Sequence, residues 1–252
     1  MGMGFHVPAG SEQYEAAQRG SVAKSHNVTH QAARRPQTRK AFAENRGAKL
    51  GSEVAVLEDP LGRDLLERMP AVGKQAFKRW CEVWEPQENR GNCGPASAMA
   101  ALRFLGLEGP WTQAKIVAEV IIPHGLFTQG LSFQNCSIML QVLGHGRLRI
   151  SERNSSNEAQ LSDQLRQDLA EAFELGGMIC ILVNYTRLGG GHWSPIGGWS
   201  DGHVLILDTN DTRLPPHWVK LETLTKSMCS LNRATGKPRG YLLLRRGEAD
   251  SA

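Results

Sequence analysis

From residue 61 onward apolar side chains recur at helical spacing: Leu61, Leu65, Leu66 and Met69, then Val72, Phe77, Trp80 and Val83. The pattern fills Pro60–Trp84 but breaks at Pro70, which lacks an N–H and clashes with a preceding helical turn. It therefore predicts two short helices. The segment Glu85-Pro86-Gln87-Glu88-Asn89-Arg90-Gly91-Asn92 is turn-rich and leads straight into Cys93. Cys93–Leu107 reads as a helix with Gly94-Pro95 in its first turn, where proline loses no helical hydrogen bond. Thr112–Ile122 and Ser132–Leu143 predict further helices. Ser162–Leu175 is amphipathic and stops at Gly176-Gly177. The period then shortens, and Met178–Tyr185, His192–Trp199, His203–Asp208 and Gly240–Leu244 predict strands. Helices first and strands later, without alternation or internal repeat, indicate an α+β architecture.

Residues 1–50 lack apolar periodicity and carry Arg19, Lys24, Arg34, Arg35, Arg39, Lys40, Arg46 and Lys49 against Glu12, Glu15 and Glu44. The whole of the chain's net positive charge of +4 is accounted for there. Such an arm suits nucleic acid or a membrane surface, but a solvated, weakly ordered leader is the preferred reading, with no nucleic-acid or membrane partner. The expected layout is that leader over 1–50, a folded domain over 51–246 and a tail over 247–252. The 252 residues, 40% of them hydrophobic, suffice for one core. No apolar run reaches the roughly 20 residues of a membrane span. Met1–Gly20 has no apolar centre for a signal peptide, and His6 stands where myristoylation needs Ser or Thr. The five Cys are odd in number and form no CxxC pair, so a disulfide or zinc framework is not expected. Together these features place the chain in a reducing compartment, with the cytoplasm expected and organelle targeting by the leader as the alternative. Without secretion, the glycosylation patterns at Asn27, Asn154 and Asn210 carry no weight.

Lone thiols in a reducing compartment raise the question of which is reactive. Cys93 begins a helix, where free N–H groups and the dipole favour the thiolate. Cys81, Cys136 and Cys180 fall inside predicted helices or a strand and read as core residues, and Cys229 has no marked base beside it. His192 follows Gly189-Gly190-Gly191, whose missing side chains would let a substrate backbone approach. Ser200-Asp201-Gly202 is a turn signal, so 192–199 and 203–208 should form a hairpin. With a three- or five-residue loop, His192 and Asp208 share a face. With a two-residue loop they would point to opposite faces. A carboxylate ending the apolar run Val204-Leu205-Ile206-Leu207 needs a partner, and an imidazole would gain its tautomer from it. Gln87, six residues before Cys93, could join the Cys93 N–H in an oxyanion hole. No HxxE or HExxH spacing, phosphate loop or dinucleotide fingerprint is present.

Several runs are specific. Gln87–Ser97, Gly191-His192-Trp193-Ser194-Pro195-Ile196-Gly197-Gly198-Trp199, Leu205-Ile206-Leu207-Asp208, Pro215-Pro216-His217-Trp218-Val219 and Thr235–Gly240 occur in one order. Over about residues 54–246 the chain thereby resembles the catalytic domain of the phytochelatin synthase family. The resemblance implies a papain-like fold, a helical N-terminal part with the nucleophile at a helix start packed on an antiparallel sheet. It also implies a triad of Cys93, His192 and Asp208, an oxyanion role for Gln87, and substrate contacts near Gly191, Ser194, Arg213 and Tyr185. The implied activity is attack on the Cys–Gly bond of glutathione, release of glycine and transfer of γ-Glu-Cys to a second glutathione or to water. No tightly bound cofactor is expected; cadmium or zinc would enter as glutathione thiolates. Glutathione or a related thiol peptide is the expected partner, with a homodimer as a further expectation. The alternative is a glutathione-deglycinating or other papain-like peptidase. Two residues depart from the family's pattern: Asn92 replaces the aromatic residue before the nucleophile, and Asp211 replaces a basic residue in the Thr209–Leu214 segment, where Arg213 remains, which would weaken the hold on a second glutathione. No counterpart of the plant enzymes' cysteine-rich C-terminal part is expected.

Overall fold

The computed structural model describes residues 54–247 apart from 108, 127–129, 175–177 and 188–189. The expected leader over 1–50, the Gly176-Gly177 helix stop and all of the tail except Gly247 lie outside the described residues.

A short strand β1 (Val54–Val56) precedes helices α1 (Pro60–Arg68) and α2 (Ala71–Val83), separated at Pro70 as its ring dictates. Helix α3 (Cys93–Phe104) is buried along nearly its whole circumference. A helix apolar on all sides belongs inside a protein, and Ala96, Ala98, Ala100 and Ala101 keep it thin enough for neighbours to close around it. The predicted helix at Thr112–Ile122 is instead a single α turn, α4 (Gln113–Lys115), running into a π-helical segment over Ile116–Ile121. Then follow α5 (Phe133–Gly144), β2 (Leu148–Arg153), α6 (Glu158–Phe173), β3 (Ile179–Arg187), β4 (Gly190–Ser200), β5 (His203–Ile206), β6 (His217–Lys220), α7 (Leu221–Met228) and β7 (Gly240–Arg246).

The strands form one antiparallel sheet in the order β1-β6-β5-β4-β3-β7-β2. Ile179, Ile181, Val183 and Tyr185 of β3 pack with Tyr241 and Leu243 of β7 against Leu161, Leu165, Leu169 and Phe173 of α6 and Leu221, Leu224 and Met228 of α7. The alternate residues Cys180 and Leu182 are buried as well. Both faces of β3 are therefore covered, which is why its sequence is a continuous apolar run rather than an alternation. Cys81, expected in the core, is exposed on α2, because the buried residues of that helix are Gly73 and Trp80. β2 and β6 went unpredicted: β2 reads Leu-Arg-Ile-Ser-Glu-Arg at a sheet edge, and β6 has only four residues.

The β4–β5 hairpin differs from the expected odd-length loop. Ser200 pairs with His203, leaving the two-residue turn Asp201-Gly202. Both turn residues have positive φ (46° and 71°), as a tight primed hairpin turn requires. By itself that turn would send His192 and Asp208 to opposite faces. A β-bulge reverses the outcome: Gly198 pairs with Leu205 and Ile196 with Ile206, so Gly197 is an extra residue on β4. Beyond it the register continues through Leu207 N–H donating to Pro195 O at 2.9 Å. Gly197 has no room for a side chain, since a Cβ there would lie 2.7 Å from Leu207 Cγ. Gly197→Ala should cost about 1–3 kcal/mol of stability through overpacking. It should also slow Cys93 alkylation by iodoacetamide, because Leu207 adjoins Asp208. Urea unfolding and alkylation rates check this; an unchanged alkylation rate would separate the bulge from the site.

Candidate active site

Cys93 is the first residue of α3, and Asn92 before it provides no side-chain cap. The first-turn N–H groups are thus left for the sulfur and for substrate. Burial pushes the Cys93 thiol up, but hydrogen bonding to His192 and the charge of His192, with the backbone at Trp193 and Gly94, outweigh it and bring the thiol below its ordinary range. His192 sits on β4 directly opposite Tyr185 of β3, whose ring meets the imidazole edge-on at 5.9 Å between centroids.

His192 Nε2 lies 2.9 Å from Asp208 Oδ1. A carboxylate only accepts, so Nε2 carries the hydrogen and Nδ1 is left for Cys93. Burial alone would lower the His192 pKa, but hydrogen bonds to Asp208 and Cys93 and their charges raise it to about 9. Each group thereby favours the charged form of the other.

Asp208 is fully buried, and four donors meet it. Oδ1 accepts from His192 Nε2 and from Asn210 N–H at 2.8 Å. Oδ2 accepts from Arg187 Nη1 at 2.5 Å and from Tyr185 OH at 3.3 Å. Burial raises the carboxyl pKa, but His192, Arg187 and His217 overcome this and hold it below the ordinary carboxylate value. The chain on either side is tied down too. Trp84 Nε1 donates to Leu207 O, Thr209 Oγ1 to Trp193 O, and Gln87 N–H to Thr209 O at 2.7 Å. Asn184 Nδ2 holds His192 O, while Trp193 Nε1 donates to Leu131 O and its ring stacks on Phe133.

The remaining residues singled out in sequence fall as follows. Gln87 Nε2 donates to Asn89 O at 2.9 Å, on the turn that enters α3. Gly191 is exposed beside His192. Ser194 is fully buried beside the Tyr185 side chain, and Tyr185 is buried with its hydroxyl donating to Asp208. Arg213 is exposed on the turn after Asp208. Arg187 and Arg239 escaped the sequence reading. The signals for them were a cation closing an apolar strand and a cation just before β7. Arg239 donates Nη1 to Asn184 Oδ1 at 3.1 Å, is itself buried, and leaves Nε without a partner. A Cβ on Gly191 would lie 2.3 Å from Arg239 Nη1, so the guanidinium fills the space that this glycine leaves. Among the described residues no three His, Cys, Asp or Glu side chains gather as a metal site, and no helix is long and apolar enough to cross a membrane.

A thiol at the start of a buried helix, against an antiparallel sheet that carries a paired histidine and aspartate, is the papain-like arrangement. Residues 46–241 match the family model for phytochelatin synthase. The chain belongs to the phytochelatin synthase family. It is 45% identical over 196 residues to glutathione gamma-glutamylcysteinyltransferase 1 of Lotus japonicus, covering 72% of this chain and 38% of that one. It is likewise 45% identical over 186 residues to glutathione gamma-glutamylcysteinyltransferase 2 of Arabidopsis thaliana, covering 68% and 40%. The chain thus spans about two fifths of the length of these curated relatives. Among solved structures, the peptidase domain of Streptococcus ComA, a bifunctional ABC transporter involved in quorum sensing, matches with a TM-score of 0.42. Its identity is 13%, over 65% of this chain and 97% of that one.

Two outcomes follow from this geometry. The alkylation rate of Cys93 by iodoacetamide should rise at a pH below the ordinary thiol value of about 8.5, with a second inflection near 9 as His192 loses its proton. In His192→Ala burial is opposed only by the backbone at Trp193 and Gly94, so a single inflection should lie above that of the unaltered protein. An unchanged profile would mean that the imidazole does not set the thiol's charge. Arg187→Met strands a buried carboxylate and should cost about 3–5 kcal/mol; a urea-unfolding loss under about 1 kcal/mol would contradict the ion pair's role.

Proposed function

We propose that this chain catalyses the first half of a γ-glutamylcysteinyl transfer from glutathione, through the Cys93–His192–Asp208 array. The carrying observation is the buried His192–Asp208 contact of 2.9 Å at a thiol held low, in a chain of this family. The Cys93 thiolate attacks the carbonyl of the Cys–Gly bond, forming the C–S bond. The oxyanion is met by the N–H groups at the start of α3 and by Gln87 Nε2. On collapse the C–N bond breaks, His192 gives its proton to the departing glycine amine, and γ-Glu-Cys remains as a thioester on Cys93. Asp208 holds the imidazole throughout without taking the proton. Arg239, buried beside Gly191 with Nε unpartnered and no carboxylate among the described residues bound to it, supplies positive charge for a substrate carboxylate.

The thioester then passes to a second glutathione, with cadmium or zinc entering as the metal thiolate of that acceptor, or to water. Water is favoured by Asp211. This partly exposed carboxylate lies on the turn directly after Asp208, where it repels an anionic acceptor peptide. The site then acts as a glutathione-deglycinating peptidase.

Full-length protein incubated with glutathione, with and without cadmium or zinc, should release glycine, and Cys93→Ala should release none. Longer γ-Glu-Cys products identify transfer, and free γ-Glu-Cys identifies hydrolysis. Absence of glycine in every condition would refute the glutathione reading.

A further inference from the structure

Gln113 opens α4, twenty residues after the nucleophile, and its side chain is completely buried. Both ends of its amide are spent on one loop. Oε1 accepts from Glu88 N–H at 2.9 Å, and Nε2 donates to Pro86 O at 3.0 Å. These are the backbone groups of the residues on either side of Gln87. The backbone N–H of Gln87 itself goes to Thr209 O, so the residue is fixed from both flanks and from the Asp208 turn. Its side chain is held far less: Nε2 makes one bond, to Asn89 O, and Oε1 is buried without a partner. An amide nitrogen carries two hydrogens, so one N–H of Gln87 remains for another acceptor. Where that N–H points is decided by the backbone that Gln113 grips.

Burying a primary amide is unfavourable unless its polar atoms are bonded. A leucine would fill the same space, yet it would leave the Glu88 N–H and the Pro86 carbonyl without these partners. The grip is anchored in turn. Thr112 Oγ1 caps the same helix by accepting from Lys115 N–H at 3.2 Å, and the following π-helical segment buries Ile116, Val117, Val120 and Ile121.

We propose that Gln113 is a positioning residue for acyl transfer: it clamps the 86–88 backbone so that the free N–H of Gln87 meets the oxyanion formed at Cys93. The inference rests on the oxyanion role assigned to Gln87 above. It does not depend on glutathione being the substrate.

The test compares two reactions of Cys93 in the full chain. Acylation by p-nitrophenyl acetate passes through an oxyanion, whereas alkylation by iodoacetamide needs only the thiolate. Gln87→Ala should slow acylation roughly 100-fold and leave alkylation within about twofold. Gln113→Leu should slow acylation about tenfold or more, again with alkylation preserved. Gln113→Glu keeps the acceptor for Glu88 N–H, loses the donor to Pro86 and guards against a leucine variant that fails to fold; it should behave alike. The Gln87→Ala/Gln113→Leu double variant should be no slower than Gln87→Ala, because the clamp acts through that amide. The clamp is overturned if Gln113 variants acylate normally, if acylation and alkylation fall together, or if the double variant's losses multiply. If Gln87→Ala itself acylates normally, the oxyanion role falls first and the clamp falls with it.

Discussion

A fully buried carboxylate with four donors organises this molecule. An isolated charge in a protein interior is prohibitively unfavourable, so Asp208 exists only because the fold brings His192, Arg187, Tyr185 and the Asn210 N–H to it. Those partners come from β3, from β4 and from the turn that follows Asp208. The adjacent backbone groups reach further, through Trp84 at the end of α2 and Gln87 on the turn before α3. Helical and sheet parts of the chain are thus joined through residues 207–209. The proposed catalytic array and the structural junction coincide.

This coincidence explains why the thiol and its base sit on different kinds of element. Cys93 needs a helix start, where unpaired N–H groups stabilise negative charge. His192 needs a rigid strand with its tautomer fixed from behind. The helix delivering Cys93 is small-residue and buried all round, so it can lie close to the sheet that carries His192. Close packing within the sheet shows at Gly197 and Gly191, where the side chains of Leu207 and Arg239 fill the space a Cβ would take.

Charge is distributed unevenly about the site. Behind the imidazole, Arg187 balances Asp208, while Arg239 beside Gly191 has no such balance among the described residues. The first offsets a charge the protein itself carries, and the second is the one the proposed reaction assigns to a substrate carboxylate. On the turn after Asp208, Asp211 and Arg213 carry opposite charges two residues apart.

Much of this was legible in the sequence. The helix break at Pro70, the helix beginning at Cys93, the apolar strands and the α+β order follow from local rules of period and backbone, so they appear in the chain itself. The family runs around Cys93, His192 and Asp208 are equally local. The π-helical segment after Gln113, edge strand β2 and the exposure of Cys81 were not legible, because neighbours distant in sequence decide them. The His192–Asp208 contact shows the division most clearly. Sequence supplied the two residues and the parity rule, and it expected an odd loop. The structure has a two-residue turn and restores the face with a bulge at Gly197. A bulge depends on the packing of Leu207 against the strand, so only the tertiary structure could decide it.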